Sequence, residues 1–283
     1  MIRFIKRAVA RGFSALGYDI VPRAAGRGRR QLVNAHYRGH CFRCFRGDAQ
    51  CEYILAGKGW DNQLDDILRE IDDAKGGDVV EIGANIGGSL VPRAAEHPGL
   101  RFHCVEPVPE FFDVLTANVQ SYAPPNVTLY NQAVGAGDRE TIRIYTQLGT
   151  AGAVAAYDDH ASVGAVDVRA STIDRLFSGL NVRLVKIDTD GFEHAILTGA
   201  RGVLAGCRPL IFMEFHVSLM RKTGNPPERT IELLRDLGYA DGTIWTNEGV
   251  LLRERASLEE LLHCATSAEY YVDVLLRPAG SRT

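Results

Sequence analysis

Six ionisable side chains stand where predicted buried strands end, and their residue types could carry chemistry. They are Glu81, Glu106, Asp188, Asp190, Glu214 and His216. In a sheet of parallel strands the carboxyl ends share one edge, so we expect these side chains to lie close together. Any one of them could be a helix cap or a surface acid, but the set as a whole indicates a binding or catalytic site.

The first of these acids lies beside a glycine-rich turn. Residues 78–82 are a β-branched run typical of a buried strand, and Gly83, Gly87 and Gly88 follow it before a helical segment. Glycines remove side chains where a ligand must approach the main chain, and a helix start offers unpaired N–H groups and a positive dipole end. Alone the turn is a weak indication, because Rossmann folds and many plain βα turns have one.

Glu106 makes this interpretation more specific. It ends the second predicted strand, residues 101–106, and stands 23 positions after Gly83. An acid in that place can accept hydrogen bonds from both ribose hydroxyls of a nucleoside. The turn and the acid together predict a nucleoside site at the carboxyl ends of the strands.

Strands and helices alternate along most of the chain. The predicted strands cover residues 78–82, 101–106, 127–130, 182–187 and 210–216. Parallel pairing with right-handed crossovers then gives a doubly wound α/β sheet. Before the first strand, Asp61 is expected to cap a helix. A hairpin around residues 247–249 and a last strand over residues 270–276 predict an antiparallel edge strand at the C-terminal end.

An ordered set of motifs carries a family resemblance. The set comprises Glu81-x-Gly83-x3-Gly87, Glu106, residues 131–135 (Asn-Gln-Ala-Val-Gly), residues 172–174 (Thr-Ile-Asp), residues 186–193 (Lys-Ile-Asp-Thr-Asp-Gly-Phe-Glu) and Glu214. Over residues 78–215 it resembles the FkbM family of S-adenosylmethionine-dependent methyltransferases. The resemblance implies a Rossmann-like class I methyltransferase fold with a seven-stranded sheet. It also implies methyl transfer to an oxygen, typically a hydroxyl of a sugar, glycolipid or polyketide.

The resemblance further implies which residues would bind the S-adenosylmethionine cofactor. Those bordering its methionine part would be Glu81, Gly83, Ala84, Asn85 and Gly87, those at its ribose Glu106 and Pro107, and those beside its adenine Gln132 and Ala133. The sequence departs from the family pattern at Asp190, where the family commonly has Glu. The shorter side chain retracts the carboxylate by about one methylene.

Methyl transfer to a sugar hydroxyl needs a base, or a divalent metal, because the hydroxyl is a weak acid. Asp188 and His216 are the leading candidates for the base, with Asp190 beside them. Asp188, Asp190 and Glu214 could instead hold Mg²⁺, since hard oxygen ligands suit that ion, although acids at strand ends also anchor main chain. The long loop over residues 147–162 either shapes a substrate pocket or is a disordered excursion.

Two other classes of function compete with a methyltransferase. A nicotinamide-dependent oxidoreductase also uses a glycine turn and a ribose acid, but residues 83–87 do not supply the third glycine of its G-x-G-x-x-G motif. A non-catalytic scaffold could keep the nucleoside pocket without turnover. Three measurements distinguish these classes. Binding of S-adenosylhomocysteine with turnover indicates a methyltransferase, binding of NAD indicates an oxidoreductase, and binding without turnover indicates a scaffold.

Charge is distributed unevenly along the 283 residues. The formal net charge is -3, yet residues 1–30 hold eight Arg or Lys and one Asp, or +7, which leaves -10 for the remainder. The main body therefore lacks the basic stripe of a nucleic-acid binder. With 46% hydrophobic residues the chain can form one large domain, or one domain with a small appendage.

The basic front end has helical spacing of its apolar residues. Three interpretations are open: a helix docked on the main domain, a tail that becomes helical, or a helix in peripheral contact with an anionic membrane through residues 1–20. We divide the chain into three parts. Residues 1–30 form a basic amphipathic helix with a linker, residues 31–75 form a segment that we call the cap segment, and residues 76–283 form the methyltransferase domain. No apolar run reaches the length of a membrane span and no signal-peptide core follows the first basic residues, so we expect a cytoplasmic protein with peripheral membrane contact as an alternative.

Three of the six cysteines raise the question of a zinc site. Cys41 and Cys44 have the spacing of a zinc knuckle, and Cys51, His36 and His40 lie nearby. The second pair of ligands expected of a structural zinc site is missing at a normal distance. Ordinary thiols are therefore the favoured interpretation. The sequence indicates no oligomeric state, and the acceptor is expected to be a small molecule, a glycoside or a glycolipid.

Overall fold

The computed structural model describes residues 31–71, 75–137, 139–146, 153–154 and 164–280. The predicted basic helix over residues 1–30 lies outside the described residues, as does most of the loop over residues 147–162. No helix in the described part of the chain is long and apolar enough to cross a bilayer.

Strands and helices alternate as expected from the sequence. The strands are β1 (Leu32–Tyr37), β2 (His40–Phe45), β3 (Gly77–Ile82), β4 (Leu100–Val105), β5 (Val127–Tyr130), β6 (Ala133–Val134), β7 (Thr141–Thr146), β8 (Ala153–Val154), β9 (Gly164–Ser171), β10 (Val182–Ile187), β11 (Leu210–Phe215), β12 (Tyr239–Thr246), β13 (Leu251–Ser257) and β14 (Val272–Pro278). The helices are α1 (Ala49–Leu55), α2 (Gln63–Glu70), α3 (Val91–Ala94), α4 (Pro109–Tyr122), α5 (Ile173–Phe177), α6 (Glu193–Thr198), α7 (Arg201–Cys207), α8 (Val217–Lys222), α9 (Pro227–Asp236) and α10 (Leu258–Ser267).

The main sheet has the strand order β13-β12-β14-β11-β10-β3-β4-β5. The strands β11, β10, β3, β4 and β5 are parallel, whereas β14, β12 and β13 pair antiparallel. The chain runs outward from β3 through β4 to β5, and then continues on the other side with β10 and β11. The strand order therefore reverses between β3 and β10, which is where doubly wound sheets bind ligands. The α/β, Rossmann-like class I fold is confirmed.

Two details of the predicted sheet are wrong. The main sheet has eight strands rather than seven, because the hairpin adds β13 outside β12. The last strand, β14, is antiparallel but is not at the edge, because it lies between β11 and β12. Its apolar residues explain the position: Val274, Leu275 and Leu276 are all buried. A strand with apolar side chains on both faces is stabilised by an interior place in the sheet.

Two hydrophobic clusters cover the two faces of the main sheet. Successive residues of β3 alternate between them, with Val79 in one cluster and Val80 in the other. The cap segment belongs to the first cluster, in which Phe42 and Leu64 pack with the same core as Val79. The cap segment is thus part of one continuous core with the sheet, and its loops lie beside the glycine turn.

The cap segment contains a disulfide instead of a zinc site. Cys44 on β2 and Cys51 on α1 are bonded to each other, and both are fully buried. Cys41 is an exposed free thiol. The favoured interpretation of ordinary thiols is therefore wrong for Cys44 and Cys51 and holds for Cys41 alone, and the zinc alternative is wrong because two of its three sulfurs are bonded to each other. A disulfide is also more typical of an oxidising compartment than of the cytoplasm expected from the sequence.

Candidate active site

The glycine turn brings the ends of β3 and β10 together. Gly83 has φ +88°, and a Cβ atom there would lie 1.9 Å from the main-chain oxygen of Asp188. The N–H groups of Gly83 and Ala84 both donate to the carbonyl of Val105, at 3.0 Å each. Only glycine permits this backbone conformation together with such a close approach. The turn thereby contacts Asp188 at the end of β10 on one side and Val105 at the end of β4 on the other. We call the place between β3 and β10, where the strand order reverses, the switch point.

Glu106 joins the glycine turn to the start of α4. Its Oε2 accepts a hydrogen bond from the Asn85 N–H at 2.9 Å, and its Oε1 accepts one from the Val108 N–H at 2.8 Å. Burial raises the pKa of Glu106 to about 7, although the two N–H groups oppose this shift. Each carboxylate oxygen has a second lone pair, so each can still accept a hydrogen bond from a hydroxyl group.

The residues predicted beside an adenine follow β5, next to Glu106. The side chain of Asn131 donates to the carbonyls of Glu106 and Pro107, at 2.9 and 3.2 Å. Gln132 follows it and is partly exposed, whereas Ala133 is buried at the start of β6. Asn131 thus connects the ends of β4 and β5. It was part of the motif but not among the predicted site residues.

Two of the residues predicted at the methionine end serve the packing of the turn itself. Gly87 has φ +86°, and a Cβ atom there would lie 2.6 Å from the Leu115 side chain and 2.9 Å from that of Val91. Glu81 is fully buried in β3, where its cross-strand neighbour on β10 is Lys186. Gly87 therefore lets the turn pack against Leu115 and Val91, and Glu81 faces Lys186 inside the sheet.

A buried lysine lies at the centre of the acidic side chains. Lys186 is 2% exposed, and its Nζ is 3.2 Å from Asp188 Oδ2, 3.3 Å from Asp61 Oδ2 and 3.4 Å from Glu81 Oε1. Burial lowers the pKa of Lys186, but the three carboxylates more than offset this and raise it well above its usual value. Its ammonium therefore stays charged; it donates a hydrogen bond to Asp188 and forms ion pairs with Asp61 and Glu81.

Asp61 belongs to the cap segment and yet lies at this cluster. Its Oδ2 accepts a hydrogen bond from Ser89 Oγ at 2.6 Å. The fully buried Arg93 donates from Nη2 to the carbonyls of Trp60 and Asp61, at 3.1 and 3.0 Å. The prediction that Asp61 caps a helix is wrong: Asn62 is at the cap position of α2 and makes no side-chain cap bond. Asp61 instead extends to the sheet because Lys186 and Ser89 both attract its carboxylate.

Carboxylates outnumber cations on the side of β10 and β11. Burial raises the pKa of Asp190 to about 7, with further repulsion from Asp188 and Glu193. Burial also raises the pKa of Glu214 well above its usual value, and Asp188 and Asp190 add to this. The structure thus brings together the predicted Asp188, Asp190 and Glu214. Their mutual repulsion keeps part of these acids protonated in the free protein, and a positively charged ligand would favour their ionised forms.

His216 caps a helix at the end of β11. Its Nδ1 accepts from the Leu219 N–H at 3.5 Å and lies 3.2 Å from Ser218 Oγ. Its ring stands 6.0 Å from that of Tyr271. Burial lowers the pKa of His216, so the ring is neutral, and an accepting Nδ1 puts the proton on Nε2. In this arrangement the imidazole is a hydrogen-bond donor, and it could act as a base only by releasing its cap.

The carboxylates are not arranged as a magnesium site. Among the residues that the structure describes, no group of three or more His, Cys, Asp or Glu side chains is placed to hold a metal ion. The ammonium of Lys186 already lies against Asp188 Oδ2. A cation there competes with Mg²⁺ for the same oxygen, so Asp188, Asp190 and Glu214 do not fit the metal hypothesis.

Comparison with known sequences identifies the family. The profile described as the methyltransferase FkbM domain matches residues 81–240, more than half of the chain. The chain belongs to the FkbM methyltransferase family. The match begins at Glu81 and covers Glu106, Asp188 and Glu214, so the family region contains the acidic edge described above. The assignment favours a methyltransferase over a nicotinamide-dependent oxidoreductase. The search of curated proteins found no significant match to the chain.

Solved structures of other methyltransferases resemble the chain at low identity. The methyltransferase FkbM from Methylobacillus flagellatus KT is 18% identical, with 71% of this chain and 43% of that chain covered and a TM-score of 0.45. TYW2 of M. jannaschii in complex with AdoMet is 12% identical, with 89% and 88% covered and a TM-score of 0.41. Precorrin-6y C5,15-methyltransferase from Geobacter metallireducens GS-15 is 15% identical, with 75% and 87% covered and a TM-score of 0.37. This FkbM-family chain thus spans under half of the Methylobacillus protein.

Several charged residues at the edge were not predicted from the sequence. They are Asp61, Lys186, Glu193 and Asp273. Lys186 carried a usable signal, because residues two apart on a strand share a face and Asp188 follows it by two. Asp61 carried none, since it lies 125 positions from Lys186 in the sequence. Its role depends on how the cap segment packs.

Proposed function

We propose that the protein transfers a methyl group from S-adenosylmethionine to a hydroxyl oxygen of a sugar, a glycolipid or a polyketide-type acceptor. One observation carries the proposal: the Glu106 carboxylate, held by the Asn85 and Val108 N–H groups, lies beside the glycine turn with lone pairs free for two hydroxyls. The ribose of an adenosyl group presents two adjacent hydroxyls. Family membership independently supports a methyltransferase.

The residues around the turn fit S-adenosylmethionine chemically. Glu106 and Pro107 would bind the ribose, Gln132 and Ala133 the adenine, and Gly83, Ala84 and Asn85 the methionine part, with Glu81 and Gly87 supporting the turn. The cofactor would supply an electrophilic methyl group on a positively charged sulfur. The acids around Asp188 and Glu214 suit that charge, because a sulfonium nearby would favour their ionised forms.

Asp188 is the base that we favour. Its carboxylate is partly exposed at the end of β10, next to the main-chain contact with Gly83, and Lys186 fixes one of its oxygens. The other oxygen could accept the proton of an acceptor hydroxyl as the new C–O bond forms. A positioned base of this kind typically contributes about 10² to 10⁴ in rate. His216 is the second candidate and Asp190, in a left-handed turn conformation, would shape the turn after Asp188.

Calorimetry with S-adenosylhomocysteine and with NAD tests the cofactor assignment. We expect binding and a raised melting temperature with the first compound and neither with the second. A protein that binds neither compound, or that binds NAD alone, contradicts the proposal.

Incubation of the purified protein with methyl-labelled S-adenosylmethionine and an extract of the source cells tests the reaction. We expect label in a small molecule whose mass rises by that of one labelled methyl group in place of a hydrogen, with a bond that survives conditions that cleave methyl esters. Binding without any labelled product would identify a non-catalytic scaffold, and label on nitrogen or carbon would contradict the choice of oxygen.

A further inference from the structure

The cap segment meets the glycine turn through polar side chains. Asp61 accepts a hydrogen bond from Ser89, two residues after Gly87, and Arg93 holds the carbonyls of Trp60 and Asp61. The amide of Gln50 lies where a Cβ atom of Gly88 would point, at 2.6 to 2.8 Å from it. The cap segment is therefore docked against the loop that would bind the cofactor, in addition to sharing the core.

The Asp61 carboxylate lies on the Asp188 side of this loop. Lys186 Nζ joins the two carboxylates, at 3.3 Å from Asp61 Oδ2 and 3.2 Å from Asp188 Oδ2. Burial raises the pKa of Asp273 and of Tyr271, and the nearby Asp61 carboxylate adds to both shifts at the start of β14. Asp61 is 16% exposed at its side chain, against 34% for Asp188.

We propose that Asp61, Lys186 and Asp188 form one charged group that faces the position of the transferable methyl. In this group Lys186 is a positioning residue for Asp188. Asp61 is a site residue that the cap segment supplies. This inference rests on the proposed function. It gives the cap segment a role in the active site, although Asp61 lies outside the family region, residues 81–240.

The geometry explains why a lysine is required. An ammonium between two carboxylates attracts both, and this attraction offsets their mutual repulsion and fixes their positions. Without Lys186, Glu81 would be a fully buried acid without its counter-charge, and Asp188 would be free to turn away from the methyl position. Without Asp61, the ammonium would lose one of its three neighbouring carboxylates, and the cap segment would lose its ion pair with Lys186 on β10.

The charge at the methyl position can be probed without knowing the acceptor. Sinefungin is an S-adenosylmethionine analogue with an amine-bearing carbon in place of the methylated sulfur, and that amine is protonated. S-adenosylhomocysteine has an uncharged sulfur there. The ratio of the dissociation constants of S-adenosylhomocysteine and sinefungin, measured by calorimetry, therefore reports the charge facing the methyl position.

Asp61→Asn is the deciding variant, because it removes one negative charge and keeps both the side-chain size and an acceptor for Ser89. We expect it to lower the preference for sinefungin by about tenfold with S-adenosylhomocysteine affinity within about threefold. Lys186→Met should have the opposite effect and raise the preference for sinefungin. The matched control is Asp66→Asn, a carboxylate 82% exposed on the same segment, which should leave the ratio within about twofold.

An unchanged ratio in Asp61→Asn would overturn the inference while leaving the proposed function in place, provided that S-adenosylhomocysteine binds. Failure of the unmodified protein to bind S-adenosylhomocysteine would instead refute the proposed function. If Lys186→Met does not fold, the result for Asp61→Asn is sufficient to test the inference. Loss of the Asp61 charge does not leave Lys186 unpaired, because Glu81 and Asp188 remain beside it.

Discussion

Glu106 holds two main-chain segments with one carboxylate, and this geometry makes it sensitive to conservative change. In Glu106→Gln an amide nitrogen would stand opposite the N–H of Asn85 or of Val108, where an acceptor is required. Hydrogen bonds to a charged group contribute about 1.5–3 kcal/mol each. We expect the variant to bind S-adenosylhomocysteine about 10- to 100-fold more weakly by calorimetry.

The control for Glu106→Gln is Asp113→Asn, which changes an exposed carboxylate on the neighbouring helix α4. Its affinity should stay within about twofold of the unmodified protein. Equal affinities for both variants would mean that Glu106 does not contact the nucleoside.

Gly83 is the glycine with the least tolerance for a side chain. In Gly83→Ala the new Cβ would lie 1.9 Å from the Asp188 carbonyl, and φ +88° is strained for alanine. Left-handed backbone alone costs about 1–2 kcal/mol for a non-glycine residue. We expect loss of S-adenosylhomocysteine binding together with a lower melting temperature, measured by calorimetry and thermal unfolding.

Gly206→Ala provides the contrast to Gly83→Ala. Gly206 lies within α7 and nothing stands within 4 Å of its Cβ position. Alanine stabilises a helix interior by about 0.5–1 kcal/mol relative to glycine. A melting temperature that is raised or unchanged, with normal binding, is the expected result. Similar losses in both variants would show that position 83 has no special role.

At the scale of elements, the cap segment is the part that sequence reasoning resolved least. Its hairpin of β1 and β2 is covalently tied to α1 by the Cys44–Cys51 bond, which joins residues seven positions apart. A crosslink of that loop length contributes about 2–3 kcal/mol in the chain-entropy estimate. Cys51→Ser should therefore lower the melting temperature, measured by thermal unfolding of oxidised protein.

Reduction offers a second route to the same prediction, because a reductant should lower the melting temperature of the unmodified protein and not that of Cys51→Ser. The control is Cys41→Ser, which alters an exposed free thiol. Insensitivity of the unmodified protein to reductant would contradict a stabilising bond.

The central strands could be predicted from the sequence because their signals are local. Residues 78–82 and 182–187 are apolar runs, and both are buried strands in the structure. The capping box of α10 is equally local, with Ser257 and Glu260 in reciprocal hydrogen bonds. The place of β14 could not be predicted, because pairing between β11 and β12 depends on contacts across the whole C-terminal part. The zinc hypothesis failed for the same reason, since cysteine spacing does not reveal which sulfurs meet.

At the scale of the whole molecule, the buried acids make stability depend on pH. Burial raises the pKa of Glu106, Asp190 and Glu193 to about 7 each. In the unfolded chain these groups have ordinary pKa values near 4, so the unfolded state loses its protons first as pH rises. A raised folded-state pKa contributes stability below the unfolded pKa, and that contribution is lost as pH rises through the folded value.

We therefore expect the free protein to melt at a lower temperature at pH 8.5 than at pH 5.5. Glu193→Gln should flatten this dependence, because the neutral amide oxygen can still accept from Thr189 and Gly191 without a charge to bury. Thermal unfolding of both proteins across this range is the measurement. A melting temperature that rises with pH would show that these acids are ionised without penalty in the folded state.

How well the candidate site could be predicted differs between its halves. The nucleoside half, with Gly83 and Glu106, was predicted because its residues lie within 23 positions and on adjacent strands. In the half around Asp188, the sequence predicted only those site residues that lie at the ends of strands. Two of its missing members, Asp61 and Asp273, come from the cap segment and from β14, and they meet at this edge only after folding.

The measurement that tests the account most directly is a crystal structure of the protein with S-adenosylhomocysteine. We predict the adenosyl group at the switch point between β3 and β10, with both ribose hydroxyls within about 3.2 Å of the Glu106 carboxylate. The sulfur should face Asp188. A nucleoside bound elsewhere on the protein, or a Glu106 that remains out of reach of the ribose, would contradict it.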